Sequence, residues 1–550
     1  MQTLHAQDIA QIGKKESFKV TGGVSANQQF YLSDGVNNRR DPYNYFLSAR
    51  LTVSYAGLSI PFTATYSNQK LGYGQPFNII GLSPKYKWIT AHLGYRNMTF
   101  SPYTLGGHQF LGAGVEVEPS KEWKIAAMYG RMLKAVEMGT NNRPSYERYG
   151  MGLKVENIGE RTTLGFSVFT ARDNANSLET PLDPLSITPQ ENFALSVNVK
   201  RKIGSHLTAS VDLARSALTR DVRSEGVNVS GGVNNIFLIQ RRNSTNYYNA
   251  MKFGVNYQLQ TINFGIAYER IDPGYKSLGA YFFNNDLESY TFNANTALFK
   301  NKLSIGVNLG KQLDNLDRSK ASTQSRWVSA FNIGFNPNQK WNISTSFSNF
   351  QSYTNVRPVS QVNSLYTNPT DTLNFVLVSQ SAQANVMRVL SSNENTQSSI
   401  NLGGSVQLSS QKTSSQTLYS PTFYNGNLGY NHQLPKKKLG FTIGVNGNIS
   451  GAGKESILFA GPTAGLNKTF FKDQIRSGIN GSWNKVYTGG IATSSLVSVS
   501  QNNSYTLKKK HGFNISLTYT RMAKPNAGLE TGFVRPINDF IASAGYGYSF

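Results

Sequence analysis

Six histidines and no cysteine bound the side-chain chemistry open to this 550-residue chain. Without a thiol there is no disulfide, no thiolate metal site and no cysteine nucleophile. The histidines are His5, His92, His108, His206, His432 and His511. His206, His432 and His511 stand beside short turns, and His92 falls on the polar face of an alternating run. Only His108 lies near a long loop. A nucleophile and base also need an orienting acid or amide. Ser101 is close to His108 in sequence, but no third member stands beside the pair. The stretch Gly451-Ala452-Gly453-Lys454-Glu455-Ser456 approaches a phosphate-binding loop. That loop needs a glycine well before the Gly-Lys pair and a hydroxyl directly after the lysine. Asn448 and Glu455 hold those two positions, so the stretch reads as a hairpin loop. No zinc-helix or calcium-loop pattern occurs, and no cofactor or metal is expected.

The remaining candidates are cations. Lys plus Arg total 54 against 30 Asp plus Glu, a net charge of +24. The runs Lys200-Arg201-Lys202, Lys436-Lys437-Lys438 and Lys508-Lys509-Lys510 lie at tight turns and carry no interleaved aromatics, so they read as a solvated rim facing anionic headgroups rather than a nucleic-acid surface. A second set sits in a long loop: Arg220, Arg223, Arg241 and Arg242 bracket the apolar Ile236-Phe237-Leu238-Ile239. Folded inward, these guanidinium groups would favour anions, together with Arg50 and Arg96 as further lumen or loop cations. Left outside, they would bridge lipopolysaccharide phosphates, or the apolar patch would dock a partner.

The elements that position these residues follow a period of two. From Tyr45 to Tyr55 one face carries Tyr45, Leu47, Ala49, Leu51 and Val53, and the other carries Phe46, Ser48, Arg50, Thr52 and Ser54. The pattern recurs at 58–66, 193–200, 251–257, 303–310 and 441–446. Alternation over such lengths specifies strand. No apolar run approaches the roughly 18 to 20 residues of a spanning helix, and the mean hydropathy is −0.37. The polar face is mostly Ser, Thr, Asn and Gly, where a soluble sandwich would show long charged side chains to water. A membrane barrel reverses the sense, with the apolar band to lipid and the polar face to a lumen.

Connection lengths agree. Short joints near 119–122, 157–160, 202–205, 300–302, 336–339, 435–438, 472–473 and 509–512 alternate with long segments near 33–43, 97–107, 173–191, 217–246, 272–285, 352–373 and 522–538. The expected fold is therefore all-β: one large antiparallel transmembrane β-barrel of about 26 strands, with even numbers from 22 to 26 open, short periplasmic turns and long extracellular loops. The stretch 352–418 is the least defined, with strands placed near 374–390 and 398–409. Residues 1–16 read as a signal-peptide remnant and short periplasmic segment, and 17–550 as the barrel. Alternation starts too early for a preceding plug or periplasmic repeat domain.

The chain stops on an aromatic strand. Ala544, Tyr546, Tyr548 and Phe550 share one face, which resembles the terminal signal read by the barrel-assembly machinery of bacterial outer membranes. Several further stretches resemble large outer-membrane barrel proteins of Bacteroidota: Arg39-Arg40-Asp41-Pro42, Tyr66-Ser67-Asn68-Gln69, Gly81-Leu82-Ser83-Pro84, Met98-Thr99-Phe100-Ser101-Pro102-Tyr103, Gly107-His108-Gln109-Phe110-Leu111-Gly112 and Asp371-Thr372-Leu373-Asn374-Phe375. The resemblance implies location and architecture, with no activity attached. Expected partners are outer-membrane lipid and lipopolysaccharide, the assembly machinery, and proteins of a larger envelope complex; nucleic acid is not expected.

A lumen of about 26 strands is too wide for Ser, Gly, Thr and Asn to fill. In-folded loops, a partner polypeptide, or water and a passing solute must occupy it. The leading expectation is a non-enzymatic channel or shell across the outer membrane for a solute or polymer. The alternative is a structural subunit of a secretion, export or barrel-assembly complex that holds partner proteins. A surface hydrolase near His108 is the third.

Overall fold

The computed structural model describes residues 18–34, 41–68, 78–139, 144–179, 187–227, 239–280, 285–319, 325–354, 375–412, 417–418, 422–452, 455–523 and 536–550. The proposed leader segment 1–16, Arg39-Arg40, Ile236-Phe237-Leu238, Gly453-Lys454 and Asp371-Thr372-Leu373-Asn374 lie outside the described residues.

Alternation becomes strand throughout. The Tyr45–Tyr55 run falls within Tyr43–Tyr55, and the next within Leu58–Ser67. The two strands expected across 352–418 are Phe375–Ser392 and Gln397–Lys412. Of 28 strand segments, Ile79–Leu82 and Lys85–Tyr86 are halves of one interrupted strand and Thr417–Leu418 is a two-residue pairing, leaving 26 spanning strands. Each pairs antiparallel with its neighbours, and the first strand (Lys19–Asp34) pairs with the last (Ile537–Ser549) from Gly23↔Ser549 to Asp34↔Asn538. The sheet is thus closed, and no backbone edge is left in the hydrocarbon.

Register fixes the two faces. Along the strand Thr162–Asp173, Leu164 and Phe166 are 51% and 43% exposed, whereas Ser167 and Phe169 are 2% and 0% exposed. Partners across a ladder share a face. The inward face therefore runs round the wall through Gly265, Asn293, Asn308, Ala330, Ser348 and Ser381. The outward face carries exposed Leu402, Leu428, Val445 and Ile515. Such apolar area on the outside of a closed sheet is stable only in lipid. Aromatic groups rim it at both ends. At the loop end Phe30, Tyr43, Tyr45 and Tyr66 follow one another at centroid spacings of 5.0, 6.0 and 6.0 Å. At the turn end Phe513 meets Tyr546 at 4.9 Å and Tyr548 meets Phe550 at 4.8 Å. The protein is a multi-pass barrel of the bacterial outer membrane.

The short-turn and long-loop sides fall as the connection lengths specify, with two departures, one of them between the strands Leu439–Ala452 and Glu455–Phe470, which are separated by two residues on the loop side. In the other, also on the loop side, the strands ending at Thr488 and starting at Ile491 are joined by Gly489-Gly490 alone. Their φ values of +59° and +86° are those of a tight primed hairpin, which glycine adopts without strain.

Candidate functional site

The lumen is built asymmetrically. Two described loop segments, 100–105 and 272–280, fold inward and pack on one arc of the wall. Phe100, Leu105 and Leu278 from these segments join Met98, Phe110, Met128, Met132, Phe169 and Leu218 from the strands in a buried core. Beside it Tyr103 and Tyr275 pack with Ala214, Ala250 and Ile271. Apolar side chains thus do meet inside the barrel where these loops cover them.

Hydrogen bonds tie the two segments to each other and to the strands. Leu105 bridges to Gly279 in parallel sense, and the Gly106 N–H donates to the Gly279 carbonyl at 3.0 Å. Tyr275 Oη donates to the Tyr103 carbonyl at 2.8 Å, and Ser277 Oγ to the Thr104 carbonyl. Asn192, fully buried on the wall, donates to Ser216 Oγ at 2.7 Å and accepts the Leu278 N–H at 3.1 Å. Tyr103 Oη donates to Glu269 Oε1 at 2.6 Å, and Lys252 Nζ lies 3.4 Å from Glu269 Oε2. Burial first, and then the Glu269 carboxylate, push the Tyr103 hydroxyl above its ordinary pKa; burial alone does so for Tyr275. Both stay protonated and serve as donors.

This arc also holds charges facing inward. Lys124 pairs with Glu118 at 3.0 Å and Lys154 with Glu156 at 3.4 Å. Ser83 Oγ lies 2.8 Å from His92 Nδ1, and His92 Nε2 lies 3.7 Å from Glu116 Oε2. That series of hydroxyl, imidazole and carboxylate has the order of a hydrolytic triad, but it sits at a break in the sheet. Pro61 and Pro84 lack N–H groups. Ser83 N–H bonds to the Pro61 carbonyl at 2.8 Å. The residue after Ser83 is Pro84, which has no N–H to offer an oxyanion. The side chains fill the interrupted ladder, and sequence spacing did not foretell their meeting. His108 is a wall residue, 3% exposed, whose Nδ1–H donates to the Gln109 carbonyl at 2.7 Å. Ser101 Oγ lies 3.0 Å from Thr104 Oγ1 and accepts the Tyr103 N–H at 3.1 Å.

The sequence-predicted cations separate. Arg50 is exposed on the inward face of Tyr43–Tyr55. Arg96 is inward but engaged with the wall: it donates to Thr63 Oγ1 at 2.8 Å and to the Leu82 and Pro61 carbonyls at 3.3 and 3.4 Å, closing the same proline break. Arg220 donates to Tyr248 Oη at 3.2 Å, at the edge of the buried core. Arg223 grips Asp221 with two bonds of 2.9 and 3.0 Å, and that hydrogen bond holds the Asp221 carboxyl below its usual pKa. Arg242 donates to the Ser224 carbonyl at 2.7 Å, and Arg241 is exposed. Ile239 packs outside the wall with Phe193, Ala217 and Tyr247. Ile239 therefore covers the outer face, whereas Arg220 reaches the inward-facing Tyr248.

The opposite arc, from Leu287–Leu298 round to Ile537–Ser549, is different in kind. Its inward positions carry mostly Asn, Ser, Thr, Gly and Gln, with scattered apolar residues such as Val328, Met387, Phe423, Phe459 and Leu496, and with Arg326, Arg476 and Asp539 as the charged residues whose side chains are described. Asn427 donates to Asn401 at 2.7 Å, Asn401 to Asn385 at 3.1 Å, Asn425 to Ser405 at 3.2 Å, and Asn448 to Asn425. Around this ladder lies a concave recess of about 970 Å³.

No protein-family model matches the chain, and no curated protein does. Among solved structures it is similar to the P pilus usher (PapC) translocation pore, at 11% identity and a TM-score of 0.38 over 96% of this chain and 99% of that one. It is also similar to the FrpB iron transporter from Neisseria meningitidis, at 8% identity and a TM-score of 0.40 over 96% of this chain and 81% of that one. The copper transporter OprC gives 10% identity and a TM-score of 0.38 over 98% of this chain and 81% of that one.

Proposed function

We propose that the protein is a non-enzymatic outer-membrane channel for a solute or polymer, narrowed on one side by its own in-folded loops. One observation carries this reading: a closed wall, apolar outside, whose lumen is packed along one arc and lined by open carboxamides and hydroxyls along the other. Reconstitution into a planar bilayer tests it. Discrete conductance steps are expected, and a folded barrel that never conducts would end the reading. Arg50 contributes to anion preference, which Arg50→Ala lowers; Arg96→Ala instead weakens the wall at Pro61 and Pro84.

A second reading, a subunit holding partner proteins, is favoured by one patch. Gln501 and Asn503 face outward between Val499 and Tyr505, and Ser477 Oγ donates to Asn503 at 2.7 Å. Polar groups on a lipid-facing wall suit a protein contact. Site-specific photocrosslinking from position 501 tests it, and capture of lipid alone would contradict it. In either case Tyr546, Tyr548 and Phe550 form the outward terminal signal for the assembly machinery, and the rim lysines at the short periplasmic turns meet anionic headgroups of the facing leaflet.

A further inference from the structure

We infer that the carboxamide arc of the lumen is a sliding surface for a neutral, polyhydroxylated chain, that is, an uncharged polysaccharide. The inference rests on the channel reading and names its cargo.

Three observations lead there. First, the recess on this arc offers hydrogen bonds without fixed charge among its lining residues. A carboxamide has two donor hydrogens and an acceptor oxygen with two lone pairs. Within the row Asn427, Asn401 and Asn385, each neighbour contact uses one donor and one acceptor site. The remainder of each group stays available to the lumen. Ser405, Ser348 and Ser381 continue the surface, the last two joined at 2.7 Å. Second, some acceptors have no protein partner. The Oδ1 atoms of Asn263, Asn446 and Asn484 are enclosed and unbonded, and Asn484 is 7% exposed. An enclosed polar atom without a partner is costly, so a side-chain rotation that turns it toward the lumen and an incoming donor is favoured. Asn263 lines the same recess as Asn385, Asn401 and Asn427. Third, the register makes the row continuous, because cross-strand neighbours of one face stand about 4.7–4.9 Å apart in the ladder direction. The result is a band of equivalent weak sites rather than one tight pocket, as passage requires.

The chemistry selects the polymer. A polyanion needs lines of Lys or Arg, and this arc carries only Arg326 and Arg476 among its described inward residues. An unfolded polypeptide brings charged as well as apolar side chains, and the recess lined by Asn385, Asn401 and Asn427 includes no charged residue to pair with the former. A neutral glycan presents hydroxyls on every side, each both donor and acceptor, and so matches carboxamides in any rotation about its axis.

Single-channel recording with and without a neutral glucan of graded length, compared with dextran sulfate and with an unfolded polypeptide, tests the inference. Calorimetric titration of the same polymers into the detergent-solubilised barrel runs in parallel. Reversible blockades by the glucan are expected, with dwell times shortened about tenfold in the triple variant Asn385→Ala, Asn401→Ala, Asn427→Ala. The variant Asn401→Leu, Asn427→Leu keeps side-chain size without introducing charge, so it guards against a folding defect, and because it removes the donors and acceptors it too must shorten glucan dwell. Blockade by dextran sulfate or polypeptide but not glucan, in a conducting barrel, overturns the inference and leaves the channel reading intact. Glucan binding by calorimetry without conductance has the converse effect. Glucan blockade unchanged in both variants also overturns it.

Discussion

Two arcs of one cylinder are made from the same period-two strands, yet they behave as different materials. Between Ile89–Thr99 and Ile262–Ile271 the inward face carries Met98, Phe110, Met128, Phe169 and Leu218 near the loop side, and paired charges such as Lys154 with Glu156 and Lys252 with Glu269. From Leu287–Leu298 onward it carries carboxamides and hydroxyls. Large inward apolar residues cluster into a buried core where a loop covers them, and the uncovered wall is mainly polar. The lumen is thus divided into an anchoring side and an open side, and the division is written in which inward residues are large.

The strongest way to break that division is to remove the anchor. Phe169→Ala deletes a fully buried ring beneath Leu105 and Leu278 and costs the docked loops about 3–5 kcal/mol. The channel is expected to spend most of its time in a larger conductance level while the barrel still resists heat on gels. Unchanged conductance would show that the loops are not what narrows the lumen. Gly279→Val acts from the other partner, because a Cβ there falls 2.7 Å from both the Phe169 ring and the Thr104 carbonyl oxygen. Overpacking of this kind costs about 1–3 kcal/mol.

Alkali is a gentler lever. The Tyr103 and Tyr275 hydroxyls are raised in the docked state, so the stability they give is fully present below the ordinary tyrosine pKa of about 10. It is lost as pH rises through the higher docked values. The larger conductance level should therefore become more frequent above about pH 10, and a flat profile there would contradict the burial of these two rings. The smallest effect is expected from Tyr103→Phe, which removes the 2.6 Å bond to Glu269 and leaves Lys252 as its partner. A loss of about 1 kcal/mol would raise the open fraction about fivefold, without altering ion preference.

The strands were legible because alternation is local. The runs at Tyr45–Tyr55 and Leu303–Gly310, and the outward Tyr546 and Tyr548, carry their orientation in adjacent residues. The docked loops were not legible, because their contacts are distant in sequence: Tyr275 reaches Tyr103 across 172 residues and Ser277 reaches Thr104 across 173. The stretch Met98 to Tyr103 drew notice by its resemblance to other barrels, not by any visible role. One signal was available: Met98, Phe110 and Phe169 are large apolar residues on faces otherwise small and polar. Arg96 and His92 likewise looked like free lumen groups, and the reason they are not lies in the ladder interrupted at Pro61 and Pro84, where Arg96 adds donors to the Leu82 and Pro61 carbonyls and His92 meets Ser83.

Because the chain has no cysteine, single cysteines placed at Asn427, Leu428 and Ser167 in reconstituted vesicles give the most direct measurement, read with a membrane-impermeant thiol reagent. Asn427→Cys should react readily from the open lumen, Leu428→Cys should be shielded by lipid, and Ser167→Cys should react only after Phe169→Ala frees the loops. Rapid labelling at 428 with protection at 427 would show the wall to be turned the other way, and both arcs would have to be reassigned.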